Sequence, residues 1–242
     1  MAVGLGGEQL WLSPTVANNV NPFNDQSGQG NNGTAQGGLS TITDTGSGGA
    51  YCYDLDGTDD YIDVTSSGVP ASAYTVSLWQ YSTNSGINTA FNAGQIGGER
   101  SVNIDGVRAG LSGDNHGHRR GSTSYWVVNP TVRTSATWYH YLLTYDGSEL
   151  RLYVDGIYTA NKTGVPNTDW IEDRCWVGQY IGGSFFFQGR IDDIRTYDRQ
   201  LTQSEITHLA TSRGVLGPPG GATHYNPFKS HAFINDFQQR LR

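Results

Sequence analysis

WYHYLLTYDGSELRLYVDGI, residues 138–157, reads as two strands joined at Asp146-Gly147. The first run sets Tyr139, Tyr141, Leu143 and Tyr145 against Trp138, His140, Leu142 and Thr144. The second sets Leu150, Leu152 and Val154 against Arg151, Tyr153 and Asp155. A period of two in aromatic and branched residues marks a strand with one buried face, and Asp-Gly between two such runs marks a hairpin. A second Asp-Gly, Asp155-Gly156, turns the chain again. A hairpin with one apolar face is not stable alone, so the rest of the chain has to supply a sheet that covers it.

The composition suits that demand. In 242 residues there are 33 glycines and 8 prolines, with 12% aromatic and 15% charged residues, which fits many short strands and tight turns in one large β domain. The formal net charge of −7 argues against nucleic acid, because a polyanion needs a basic face. The charge is uneven. Residues 213–242 hold Arg213, Lys229, Arg240 and Arg242 against Asp236, a basic tail that could dock on a neighbouring copy or simply be a solvated terminus. The opening MAVGLGGEQLWLS lacks the basic and apolar regions of a secretory leader, and no run is long enough to span a bilayer, so no membrane partner is expected. Cys52 and Cys175 lie in apolar strand-like stretches and read as buried thiols rather than a disulfide; two are too few for a zinc site.

Along the chain, EQLWL (8–12) reads as a first strand or an arm, and residues 13–50 as a long irregular segment rich in Gly, Asn, Ser and Thr. Strand patterns follow at 51–55, 60–64 and 74–82. Weaker ones lie at 90–96, 100–104 and 107–112, with Asp105-Gly106 as a turn. DNHGHRRGS (114–122) reads as a polar loop, and strands resume at 124–128, 174–181 and 184–197. One helix is predicted, over 202–211. Thr202 and Glu205 form a capping box, and Leu201 and Ile206 are spaced as a hydrophobic staple. The organisation is then a sandwich over 1–212, with its N-terminal arm at 1–20, and an extension over 213–242. That extension spaces Tyr225, Phe228, Lys229, Phe233, Phe237, Arg240 and Arg242 as an arm that cannot build a core of its own.

Three stretches, DLDGTDDYIDV (54–64), WYHYLLTYDGSELRLYVDG (138–156) and GRIDDIRTYDRQLTQSEI (189–206), resemble the laminin-G-like, concanavalin-A-like jelly-roll family, in order and suitably spaced. DQSGQGNNGTAQGG (25–38) is similar to that family's opening loop. The resemblance implies an all-β fold, two antiparallel sheets packed face to face in a jelly-roll sandwich with a concave outer face. The leaderless N-terminus and the YNPFKSHAF arm resemble laminin-G-like proteins encoded by tailed bacteriophages.

Some members of this superfold hydrolyse β-glucans with carboxylates on one strand face as E-x-D-x-x-E, since a retaining mechanism needs two carboxyl groups about 5 Å apart. That motif is absent here, as is the nucleophile elbow G-x-S-x-G. Catalysis is therefore not expected. A structural calcium ion, frequent in the family, could be met by Asp25 and Asn31, beside Asn32, together with Asp192 or Asp193. In IDDIR, Ile191 and Ile194 are apolar at odd spacing, which suggests a bulge that buries an aspartate; its partner is the ion, backbone N–H groups or Arg195. For a glycan, the candidates are Trp79, Tyr81, Trp126, Arg151 and Tyr153, with Asn115, His116 and His118 on a rim loop. Packing alone also explains these rings. His116 and His118 read as a metal pair only with a third ligand, which the neighbouring sequence does not offer.

The expectation is a non-catalytic virion structural protein, a capsid decoration or tail-associated subunit, whose arms lock onto other virion subunits or copies of itself and whose body meets cell-surface glycan. The alternative is a lectin or adhesion module of a bacterial surface or extracellular protein.

Overall fold

A computed structural model of the chain describes residues 5–14, 21–44, 50–70, 72–94, 100–106, 114–120, 122–167 and 174–213. The expected strand at 107–112 and the arm residues Tyr225, Phe228, Lys229, Phe233, Phe237, Arg240 and Arg242 lie outside these. The described strands form two antiparallel sheets. The first runs β13 (Ile157–Thr163), β12 (Glu149–Val154), β11 (Trp138–Tyr145), β6 (Tyr74–Ser82), β15 (Gln188–Tyr197), β4 (Ala50–Asp56), β3 (Ser40–Asp44), with β1 (Glu8–Leu12) paired to β15. The second runs β10 (Thr123–Val128), β9 (Asn115–Arg120), β8 (Arg100–Asp105), β7 (Thr89–Gly94), β14 (Arg174–Val177), β5 (Tyr61–Val64), β2 (Gly33–Gln36). The expected jelly-roll sandwich is what forms.

The inner faces meet in one buried core. The hairpin contributes Tyr141, Leu143, Tyr145, Leu150, Leu152 and Val154, opposed by Phe91, Val102, Ile104, Cys175 and Val177 of the second sheet. Burying each large apolar side chain stabilises by about 1.5–3 kcal/mol relative to leaving it in water. Neither cysteine is in a disulfide: Cys175 is in this core, whereas Cys52 is not among its members. Burial pushes the Cys52 thiol up to about 12, which keeps it protonated.

The outer face of the first sheet is covered as well. Helix α1 (Gln203–Thr211) lays Ile206 and Leu209 over Leu142, Tyr197 and Leu201. Its N-terminus is the predicted capping box: the Thr202 N–H donates to Glu205 at 2.8 Å and the Glu205 N–H donates to the Thr202 hydroxyl at 3.4 Å. Arg199 also donates to Glu205 at 2.7 Å and holds its carboxyl down to about 2. Among the described residues no helix is long and apolar enough to cross a membrane.

The predicted bulge is in β15. One edge of that strand pairs with β4 as far as Ile191 and with β1 from Ile194 onward, and its register against β6 shifts between Asp192 and Arg195. Asp193 sits there at φ 49. Its carboxylate takes Arg195 Nε at 2.8 Å and Trp11 Nε1 at 2.8 Å, while the Arg195 guanidinium lies 4.0 Å from the Trp11 ring centroid. Of the partners considered for a buried aspartate here, Arg195 is the one that Asp193 takes.

Two readings are corrected. Residues 114–122 are not a loop: β9 runs through them, paired with β8 and β10, and it turns His116 and His118 inward opposite Ile104 and Val102. The His118 ring nitrogen lies 3.0 Å from the Tyr74 hydroxyl of the first sheet. The strand was hidden because polar residues occupy its inward positions and Gly117 lies between them, where a Cβ would sit 2.1 Å from the Tyr125 carbonyl oxygen. The segment 13–50 is not wholly irregular, since β2 and β3 lie within it.

Two expected outcomes follow from this packing. Replacing Arg195 with Leu strands a buried carboxylate and should cost about 3–5 kcal/mol, whereas Asp193→Asn with Arg195→Leu should cost less; denaturant titration measures both. Burial holds the His118 and His140 rings neutral down to about 4 and about 3. The unfolded chain protonates them near about pH 6.5, so acidification below that favours unfolding. Asp192 works in the opposite sense. Burial lifts its carboxyl to about 7, so between about pH 7 and 4 the folded state alone holds that proton. The Tm should fall on acidification through this window, and more steeply in Asp192→Asn; thermal melts across the range test it.

Candidate functional site

The site grows from two short strands of the second sheet. In β14, RCWV, Cys175 and Val177 enter the core, which leaves Arg174 and Trp176 on the outer face, where Trp176 lies largely covered at 7% exposure. In β5, YIDV, Ile62 and Val64 enter it and leave Tyr61 and Asp63 outside. Trp176 is registered opposite Asp63, and Arg174 Nη1 donates to the Asp63 carboxylate.

The loop joining β14 to β15 completes the wall. Gly178 turns the chain at φ +95, where a Cβ would meet Leu55 at 2.2 Å. Phe187 N–H donates to the Gly178 carbonyl at 2.8 Å, Tyr180 N–H to Ser184 at 2.8 Å, and Thr89 N–H to Phe185 at 2.8 Å. Phe187 is buried in the core, Phe186 is half-buried, and Phe185 is 48% exposed on a left-handed backbone at φ 53. The Tyr180 ring meets Phe185 edge-on at 6.0 Å.

Together these residues line a pocket of about 480 Å³ with Tyr61, Trp176, Phe186, Arg174, Gln179 and Asp59 on its walls. The Tyr61 and Phe186 rings are 6.4 Å apart and inclined at 45°. Gln179 is 3% exposed, and its Oε1 accepts no hydrogen bond from the described residues. Asp59 belongs to the Asp56-Gly57 turn, in which Asp56 accepts the Thr58 N–H at 2.7 Å. That bond holds the Asp56 carboxyl below its usual range, whereas burial raises Asp60. Carboxylate oxygens of Asp56, Asp59 and Asp60 lie within 4.8 Å of one another. Beside Trp176 on the same face, in register, is the buried Asn92, followed by Asn103. The arrangement can stack rings on an apolar ligand face and hydrogen-bond its polar edge.

The glycan candidates drawn from the sequence are not brought together. Trp79, Tyr81, Arg151 and Tyr153 belong to the first sheet and Trp126 to the second, while His116 and His118 are buried in the interior. Trp79 is covered and donates Nε1 to the Leu209 carbonyl at 3.2 Å. Tyr81 packs on Trp138, Arg151 is held by Glu149, and Tyr153 meets Tyr158. Tyr61, Trp176, Gln179 and Phe186 were missed, although three consecutive Phe after Gly182-Gly183 are a legible signal.

The residues named for calcium are engaged by N–H and O–H donors. Asp25 accepts from the Trp11, Ser27 and Asn31 N–H groups, and Asn31 Nδ2 donates to Gln9. Asp193 holds Trp11 and Arg195, and Asp192 holds Ser13, with Arg213 at 3.3 Å. A cation wants several free oxygens converging on it, and these four residues instead brace the loop and the bulge, so they do not fit one.

The profile of the concanavalin A-like lectin/glucanases superfamily (Laminin_G_3) matches residues 56–207. The chain belongs to this superfamily. No curated protein sequence matches it significantly. Among solved structures of the superfamily fold, it is similar to domain 4 of AbnA, a GH43 extracellular arabinanase from Geobacillus stearothermophilus, in complex with arabinotriose. The TM-score is 0.67 at 20% identity, over 87% of this chain and 100% of that one. It is also similar to the binding domain of botulinum neurotoxin DC in complex with SialylT, with a TM-score of 0.62 at 13% identity over 86% of this chain. The binding domain of Paraclostridial Mosquitocidal Protein 1 gives 0.58 at 15% identity over 85%. The superfamily member described here spans about half of each of these two toxin domains, 52% in both cases.

Proposed function

We propose that the chain is a non-catalytic carbohydrate-binding module and that the pocket between β5, β14 and residues 178–187 seats the sugar. The observation that carries this reading is the convergence of Tyr61, Trp176 and Phe186 with the buried amide of Gln179 on one pocket of about 480 Å³. Aromatic faces take the C–H faces of a sugar ring, and buried polar groups fix its hydroxyls. Complexes of two structural relatives, with arabinotriose and with SialylT, support the reading. The ion pair of Asp63 with Arg174 and the lack of E-x-D-x-x-E support binding rather than hydrolysis. A glycan array followed by calorimetry tests it. Saturable binding to an oligosaccharide is expected, weakened about tenfold by Trp176→Ala or Phe186→Ala and retained in Trp126→Ala; no binding to any oligosaccharide overturns it.

A second reading concerns assembly. Arg213, the last described residue, is seated on the first sheet: it donates to Asp44 at 2.6 Å, and its guanidinium lies 4.0 Å from the Trp138 ring centroid. The described residues thus end at the first sheet, whereas the pocket belongs to the second. We read the extension as the arm of a virion subunit, with the extracellular or cell-surface lectin as the alternative. Truncation after Arg213 should reduce the mass seen by light scattering to that of a single chain and leave sugar binding unchanged. An unaltered mass removes the assembly reading.

A further inference from the structure

Charge and hydrogen-bonding capacity narrow the ligand class, an inference that rests on the sugar reading of the pocket. We infer that the pocket selects neutral oligosaccharides with adjacent free hydroxyls and rejects sugars that carry a carboxylate.

Among the described residues lining the pocket, Arg174 is the one cation, and it is already engaged by Asp63. An incoming carboxylate would have to displace Asp63 from it. Asp59 stands on the wall with Asp56 and Asp60 close by, so the local field is negative and a second anion meets like charge, a known means of rejecting wrong partners. The second line concerns hydrogen bonds. Gln179 Oε1 and, next to the pocket, Asp63 Oδ1 and Asn92 Oδ1 are buried acceptors that take no donor among the described residues. An acceptor left unpaired on binding costs the desolvation of that atom, and a site built around one rejects ligands that cannot donate to it. Sugar hydroxyls donate; an ionised carboxylate only accepts. The second line calls for hydroxyl donors, which neutral and acidic sugars both carry, and the first rejects the carboxylate that an acidic sugar brings with them.

The test presents the full chain with neutral arabino- and gluco-oligosaccharides and with sialyllactose and oligogalacturonate, at low and at physiological salt. Neutral ligands should bind with an affinity that changes less than about twofold with salt, and acidic ones about tenfold more weakly or worse. Gln179→Leu should weaken neutral binding. Asp59→Lys, at an exposed turn position that tolerates the change, should raise acidic binding at low salt. Preference for the acidic ligands, falling with salt and lost in Arg174→Ala, overturns the inference and leaves the sugar pocket standing. Failure of every ligand in both classes overturns both.

Discussion

The sandwich depends on one buried charge pair at a break in its longest strand. β15 serves two neighbours along a single edge, β4 before the bulge and β1 after it, and the extra residue is what lets the strand change partner. A bulge leaves backbone and side chains out of register. Here that disorder is absorbed by Asp193, whose carboxylate holds the Trp11 indole and the Arg195 guanidinium together. With both charges almost fully buried, neither partner can be lost alone without stranding the other. The first sheet is therefore closed by electrostatics at the point where hydrogen-bond pairing is interrupted.

That closure also shapes the use of the two outer faces. On the first sheet, α1 packs on Leu142 and Tyr197, and Trp79 bonds to the helix carbonyl of Leu209. The second sheet keeps the outward side chains of β5 and β14, with a loop of the chain itself as the far wall of the pocket. The same alternation that drives Cys175 and Val177 into the core places Arg174 and Trp176 outside, so the site is a by-product of the pleat.

Much of the fold was legible from residues 138–157, because Tyr139, Tyr141, Leu143 and Tyr145, and after the turn Leu150, Leu152 and Val154, recur there at a period of two. The helix was legible because Thr202 and Glu205 satisfy each other's backbone, a local arrangement that needs no tertiary partner. β9 was not, since His116 and His118 carry polar atoms inward, and what accepts them there, Tyr74, Tyr141 and Tyr145 of the other sheet, is distant in sequence. The bulge at Asp192-Asp193 was legible from two isoleucines at odd spacing, and the burial of the carboxylate followed from it. The site was hidden for a different reason. Tyr61 and Trp176 are 115 residues apart and become neighbours only through the pairing of β5 with β14, which no periodicity within either strand announces. Trp79 showed the converse error: an aromatic residue on an outward strand position was taken as open, and a helix later in the chain closes over it.

Phe185 carries one more implication. A large side chain on a left-handed backbone is held against its own preference, and the bonds from Tyr180, Thr89 and Phe187 hold the rest of the loop in place. Conformational freedom is thus surrendered when the polypeptide first folds, before any ligand arrives. On the sugar-binding reading, a loop of this kind beside the pocket would meet a ligand already shaped, so that encounter is governed by fit and solvent release and little ordering remains to oppose it. Glycine at that position would relieve the left-handed backbone and give up this pre-shaping, setting local strain and local order against each other at a single residue.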